Sequence, residues 1–199
     1  MNVYVETNFL LNLGLHQEGV DAATSILTSA EHGKIDLVIP AMALMEAITT
    51  MEAKRRERER VIKDLKDQAS QLKRSKNLKP LESIEATIGV LVNLNDNEAV
   101  AIQESIQRAL SCCRVLSPTA AIMDLGIGAQ HDRELQPQDS VIFASIYQDL
   151  KSMSTPVPSC FVSTDPDLIG KIFETLKNHN CKCFISFDEA QRYFDATLS

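Results

Sequence analysis

The apolar positions of this chain fall into two patterns, short continuous runs and longer stretches with helical spacing. Runs rich in β-branched and aromatic residues predict strands at 3–5, 35–39, 160–163 and 182–186. Helical patterns separate these strands and no hairpin signal joins them, so we expect the strands to pair in parallel. The pattern therefore predicts an α/β fold, a three-layer sandwich with a central parallel sheet of four to five strands flanked by helices, formed as one domain over residues 1–199.

The middle of the chain is predicted to be a helical elaboration of that sheet. A long helix is expected from 41 to 72, and Pro80 begins another that reaches 92. Asn95 and Asp96 are expected to cap a further helix that continues to about 110. The segment 51–116 is therefore predicted to be an entirely helical insertion.

Short polar side chains mark the starts of the first and last helices. Thr7 or Asn8 is expected to cap the helix that follows the first strand, and Asp188 the final helix. The sequence alone does not decide between Thr7 and Asn8.

Composition narrows the functional classes. With 44% hydrophobic and 24% charged residues, the chain has the composition of an ordinary soluble domain. No apolar run reaches the roughly 18 residues that a membrane span needs, and the first residues lack a secretory pattern. Five cysteines, an odd number without a secretory signal, argue against a disulfide framework. We expect a cytoplasmic protein without a membrane partner.

The net charge of −7 does not indicate a nucleic-acid-binding protein, but the charges are unevenly distributed. Eleven Lys and Arg residues and four Asp and Glu residues lie between Lys54 and Lys79, a local charge of +7. Such a segment can steer a polyanion such as RNA toward the protein. The alternative is a solvated helix face on which acids and bases pair at helical spacing. The candidate RNA-binding residues are Lys54, Arg55, Arg56, Arg58 and Arg60.

Four carboxylates occupy corresponding places in the predicted elements. Glu6 and Asp165 end the first and third strands. Glu46 lies in the second turn of the helix after the second strand, and Asp139 lies in the first turn of a helix that Pro137 opens. In a parallel sheet, strand carboxyl ends and the following helix starts meet at one edge. Because four carboxylates there need a cation, and Mg²⁺ or Mn²⁺ prefers oxygen ligands, the sequence predicts a metal site suited to phosphate chemistry.

Some of these acids also have a structural explanation. Asp165 stands before a proline as a helix N-cap would, and Asp139 complements a helix dipole. Glu6 directly follows a buried strand and Glu46 lies in an otherwise apolar run, so neither is well explained as a surface residue. The set of four is thus more specific than any member. Asp167 is a further candidate for the metal site.

The segments around the four acids resemble the sequence blocks of the PIN-domain family, which are metal-dependent ribonucleases. The segment 3–8, VYVETN, is similar to the opening motif, in which a strand runs into Asp, then Thr or Ser, then Asn. The segments 39–46, 137–144 and 161–168 resemble the next three blocks, in the family's order. The resemblance covers the sheet-forming parts of the chain and not 51–116. Glu6 departs from it, since the family usually has Asp there.

The resemblance implies a PIN-like fold and a set of site residues. It implies that Asn8 and Ser163 orient the metal ligands or a water from a second layer around the site. It also raises a toxin role, with an antitoxin or another inhibitor protein as a partner and a homodimer as the assembly, because many small family members are toxins. The implied metal ligands and catalytic residues are Glu6, Glu46, Asp139 and Asp165.

The leading hypothesis is a Mg²⁺- or Mn²⁺-dependent endoribonuclease that cleaves RNA phosphodiester bonds at these carboxylates. The alternative is a catalytically weak or inactive PIN-like module that binds RNA or a protein partner, which the departure at Glu6 motivates. A phosphohydrolase on another α/β fold is less favoured, because it would need a second acid where Asn8 stands.

Overall fold

The computed structural model describes residues 1–74, 78–155 and 157–198. Lys76, which belongs to the basic segment, lies outside the described residues. The strands are β1 (Asn2–Val5), β2 (Asp36–Pro40), β3 (Arg114–Leu116), β4 (Ser159–Val162) and β5 (Cys181–Phe184). The helices are α1 (Thr7–Leu15), α2 (Val20–Glu31), α3 (Ala41–Arg74), α4 (Leu78–Cys112), α5 (Ala120–Arg133), α6 (Pro137–Ser152), α7 (Pro166–Lys177) and α8 (Phe187–Leu198).

The five strands form one parallel sheet in the order β3-β2-β1-β4-β5, flanked by helices. Val3 of β1 pairs with Leu37 on one side and Cys160 on the other. Every residue of β1 and β4 is buried, as expected for parallel strands covered by helices on both faces. The predicted α/β fold with a central parallel sheet is confirmed.

Strand β3 lies in the segment that the sequence predicted to be entirely helical, and that prediction was wrong at its carboxyl end. The strand pairs in parallel with β2. The Arg114 guanidinium donates to Asp36 Oδ2 at 3.0 Å and to Asp149 Oδ1 at 2.7 Å. A three-residue strand has almost no periodicity of its own, so these contacts with distant residues decide its conformation.

Helices α3 and α4 form an antiparallel hairpin. The sequence predicted two helices between 80 and 110, but α4 is continuous there. Pro80 is tolerated because it lies in the first turn of α4, where its missing N–H costs no hydrogen bond. Asn95 caps no helix; instead its side-chain oxygen accepts a hydrogen bond from Arg58 Nη1 at 3.1 Å.

The hairpin has an apolar seam interrupted by one polar layer. Met51, Ile62 and Ala69 are buried on α3, at the spacing by which one helix repeatedly meets a neighbour. Arg58 lies between them and donates to both carboxylate oxygens of Glu98 on α4. A polar pair in an apolar helix seam favours one register over others, so this layer fixes how the two helices align.

The base of the hairpin contacts the body of the protein closely. Gly14 of α1 faces Ile102 of α4, and a Cβ atom placed on Gly14 would lie 2.7 Å from Ile102 Cδ1 and 2.9 Å from its Cα. Because one of these atoms is backbone, rotation of a side chain cannot relieve the contact. The glycine therefore sets how near α1 and α4 approach.

Two predictions from composition can be compared with the fold. All five cysteines are free thiols, and Cys160 and Cys181 are buried. None of the helices that the structure describes has the length and apolar character needed to cross a membrane.

Replacing Gly14 with Ala is expected to lower the free energy of unfolding by about 1–3 kcal/mol, the usual cost of overpacking a core. Gly128→Ala in α5 is the matched control, because no atom lies within 4 Å of the added Cβ. The control should stabilise the protein by up to about 1 kcal/mol through helix propensity. Urea unfolding measures both, and equal effects of the two changes would contradict the close-contact assignment.

Candidate metal centre

The strand order reverses direction at β1. From β1 the chain moves outward to β2 and β3, and then returns to place β4 on the other side of β1. The order therefore reverses between β1 and β4, and sheets of this kind bind ligands at such a point. Glu6 follows β1, and Ser163 follows β4.

Glu6 is a buried carboxylate that caps α1. Its side chain is only 4% exposed, and its Oε2 accepts a hydrogen bond from the backbone N–H of Asn8 at 2.8 Å. The expected cap, Thr7 or Asn8, was wrong, because Glu6 has the extended backbone of an N-cap residue and satisfies the first turn itself. Its second oxygen, Oε1, is buried without a hydrogen-bond partner in the described structure.

Glu46 is held in place by a threonine that sequence reasoning considered only as a cap. The Thr7 hydroxyl donates to Glu46 Oε2 at 2.5 Å and lies 3.5 Å from the Ala43 carbonyl oxygen. Thr7 is buried, whereas Glu46 is half-buried. The hydroxyl thus links the start of α1 to the start of α3 and aligns Glu46 with Glu6. The sequence feature that could have indicated this role is the position of Thr7 directly after Glu6.

Asp165 serves as the N-cap of α7, as its position before Pro166 predicted. Its Oδ1 accepts from the backbone N–H groups of Asp167 and Leu168 at 2.9 and 3.1 Å. Ser163 is fully buried, and its Oγ accepts from the Asp165 N–H at 3.0 Å. Asp167 is exposed in the first turn of α7 and contributes its backbone to the cap. The prediction that Asp188 caps the final helix was wrong. Helix α8 begins at Phe187, and Ser186 Oγ accepts a hydrogen bond from the Asp188 N–H.

The four predicted acids act on one another electrostatically. Burial raises the pKa of Glu6 to about 7. The hydrogen bond from the Asn8 N–H and the nearby Ser163 hydroxyl oppose this rise, and the charges of Glu46 and Asp139 add to it. Burial also raises the pKa of Asp139 to about 6, and Glu46 and Asp165 raise it further. The tertiary structure therefore brings the four acids near enough to affect one another's ionisation. Glu6 Oε1 accepts no hydrogen bond in the described residues.

These residues have the chemistry of a site for a hard divalent cation. All four are carboxylates, and one buried oxygen has no hydrogen-bond partner in the described residues. Burial, with repulsion between the acids added to it, raises the pKa of Glu6 to about 7 and that of Asp139 to about 6. In the described residues, however, no three His, Cys, Asp or Glu side chains converge closely enough to hold an ion. Hydrogen bonds to nearby groups keep the acids apart. Glu6 accepts from the Asn8 N–H, Glu46 accepts from the Thr7 hydroxyl, and Asp165 accepts from the first backbone N–H groups of α7.

The two predicted supporting residues differ in how they contact the acids. Ser163 contacts Glu6 and the Asp165 backbone through its hydroxyl, as a ligand-orienting residue would. Asn8 contributes its backbone N–H to Glu6, and its side chain bonds no predicted ligand in the described structure. The metal-binding roles of the four acids remain predictions.

The predicted RNA-binding residues lie along α3 beyond Glu46, and three of them pair with acids. Arg55 pairs with Glu59 at 3.0 Å, Arg56 pairs with Glu52 at 3.3 Å, and Arg58 is committed to Glu98. By helical geometry Arg60 shares the face of Glu46 most closely but lies roughly 20 Å along the helix, while Arg55 lies on the opposite face. The pairing favours the solvated-helix interpretation of the basic segment.

In the metal-free protein, Glu6 is expected to make stability fall as pH rises. Its pKa of about 7 in the folded state exceeds the ordinary 4.5, so its stabilising proton is fully present below pH 4.5 and is lost as pH passes 7. Glu6→Gln should remove most of this dependence and raise the free energy of unfolding at pH 8 by about 2–3 kcal/mol. Urea unfolding in EDTA at pH 5 and pH 8 tests this, and a variant less stable than the wild type at pH 8 contradicts it.

Comparisons with known proteins show the family to which the chain belongs. A family model described as PIN domain matches residues 3–168. A structural neighbour is the crystal structure of VapBC2 from Rickettsia felis bound to a DNA fragment from their promoter, with 13% identity, a TM-score of 0.44, and coverage of 92% of this chain and 99% of that one. The search of curated proteins returned no match. Since the family model spans most of the sheet and all four acids, the chain belongs to the PIN-domain family.

Proposed function

We propose that this protein is a divalent-metal-dependent endoribonuclease. The observation that carries the proposal is the group of four carboxylates at the reversal point of the sheet, with one buried oxygen of Glu6 left without a partner. PIN domains are generally nucleases that use divalent metal ions. The choice of RNA as substrate rests on the resemblance of the four sequence blocks to the family.

Glu6, Glu46, Asp139 and Asp165 would hold the ion. A bound Mg²⁺ or Mn²⁺ would supply Lewis-acid stabilisation of charge on a phosphate. Loading the site requires Glu6 and Asp139 to release the protons that their raised pKa values retain. Asp139 is half-exposed, so water can reach its carboxylate.

The remaining parts of the proposal concern partners and location. The family resemblance supports a cytoplasmic protein, a homodimer, and control by an antitoxin or another inhibitor protein. These features do not affect the chemistry at the carboxylates.

Asp139→Asn is expected to reduce Mn²⁺-stimulated cleavage of a total RNA pool by about 100-fold or more, because it removes a charged ligand of the proposed metal site. Asp64→Asn is the matched control, since Asp64 is exposed on α3 about five helical turns beyond Glu46. It should cleave like the wild type. Gel analysis of the RNA, with EDTA added as a metal-free arm, measures the effect.

Unchanged cleavage by Asp139→Asn would sink the nuclease assignment. Circular dichroism of both variants should match that of the wild type, because Asp139 makes no side-chain hydrogen bond in the described structure and its loss costs no packing. Cleavage that persists in EDTA would indicate a contaminating nuclease.

A second candidate is a PIN-like module that binds without cutting. The observation that favours it is Glu6, which is one methylene longer than the usual Asp and is committed to capping α1. Calorimetry with Mn²⁺ separates the candidates. A nuclease should bind Mn²⁺ with an affinity that rises as pH increases from 6 to 8, because protons leave Glu6 and Asp139. Absence of carboxylate-dependent Mn²⁺ binding favours the non-cutting module.

A further inference from the structure

Lys171 of α7 lies at the edge of the carboxylate group. Its Nζ donates to the Glu134 carbonyl oxygen at 2.8 Å, in the turn that precedes α6 and Asp139. Lys171 is also six residues beyond Asp165, the N-cap of α7, which is about 9 Å along the helix axis. Burial, Glu46 and Asp165 raise the pKa of Asp139, and the charge of Lys171 opposes part of that rise. The side chain is nevertheless exposed to solvent.

Two hydrogen bonds to the end of α5 fix the position of Lys171: its ammonium donates one, and its backbone carbonyl accepts the other. Glu134 ends α5 with a left-handed backbone (φ 53°), which turns its carbonyl toward α7. Arg133 Nη1 donates to the Lys171 carbonyl oxygen at 3.1 Å, and its guanidinium carbon lies 5.0 Å from the centre of the Phe143 ring. These contacts join α5, α6 and α7 without using any of the four acids.

The Lys171 ammonium retains hydrogen-bonding capacity and charge. Of its three N–H donors, one is directed at Glu134, which leaves two for a ligand. No salt bridge joins Lys171 to a carboxylate in the described part of the chain, whereas Arg55, Arg56 and Arg58 are all paired. Lys171 is thus a cation near the acids, and no ion pair in the described residues neutralises its charge.

Building on the proposed function, we propose that Lys171 is a substrate-positioning residue whose ammonium binds a backbone phosphate of the RNA beside the scissile one. A group of four acids repels a polyanion, and a bound divalent ion offsets only part of that repulsion. A fixed lysine at the rim adds attraction where the neighbouring phosphate passes, and it does so for any base sequence.

Anisotropy of a short fluorescent single-stranded RNA tests this, in a Glu46→Gln background with Mg²⁺, so that binding is measured without cleavage. Lys171→Gln should weaken binding about three- to tenfold for all sequences and reduce the log–log salt slope by about 0.7. Lys171→Arg should restore the affinity to within about twofold, because it keeps the charge and the donors. A purely structural lysine would not change the salt slope.

Lys177→Gln is the matched control, since Lys177 is an exposed lysine that ends α7, with its Nζ 5.3 Å from the centre of the Phe173 ring. It should bind RNA like the background protein. Calorimetry of Lys171→Gln with Mn²⁺ should show affinity that is unchanged or higher, because a cation beside the acids has been removed.

The proposal is overturned if Lys171→Gln and the background bind RNA equally, if Lys177→Gln loses as much affinity, or if the background binds no RNA. These outcomes are distinct from failure of the proposed function. A wild type that binds Mn²⁺ but cleaves no RNA overturns the nuclease assignment, while the comparison of RNA affinities still decides the role of Lys171.

Discussion

Burial of the Glu6 carboxylate at the end of the central strand is the constraint on which this structure depends. The sheet order puts Glu6 between the starts of α3 and α7, so its charge is felt by Glu46 and Asp139 in a place that water hardly reaches. Desolvation and repulsion both favour its protonated form. The fold tolerates the carboxyl group because one oxygen caps α1, while the other has no hydrogen-bond partner in the described residues.

The same local bonds that stabilise the helix starts keep the acids apart. Glu6 and Asp165 cap their helices, and Glu46 accepts the Thr7 hydroxyl, so each is engaged where it stands. Without a counter-ion, repulsion between the carboxylates disfavours their close approach. Binding a divalent cation would reverse that balance and draw oxygens inward, which couples metal affinity to proton release.

The helical hairpin is a second unit with its own electrostatic balance. Arg58 and Glu98 neutralise each other in the seam, and Arg55 and Arg56 pair with acids on α3 itself. Three of the five residues proposed to bind RNA therefore have their charge paired within the hairpin. Lys171, which belongs to no charge-rich segment, keeps a charge that is unpaired in the described residues, because its ammonium donates to the backbone carbonyl of Glu134 and not to a carboxylate.

The sequence by itself determined the α/β class, four of the strands, and the four acids, because strand–helix junctions carry their polar residues at recognisable places. Only the tertiary structure decided the rest. Strand β3 exists because Arg114 reaches Asp36 and Asp149, and α4 is continuous because Asn95 faces Arg58 instead of capping a helix. Neither interaction produces a periodic pattern of apolar and polar residues in the sequence. Which cations meet the acids also depends on contacts between helices distant in sequence, and local pattern carries no information about those contacts.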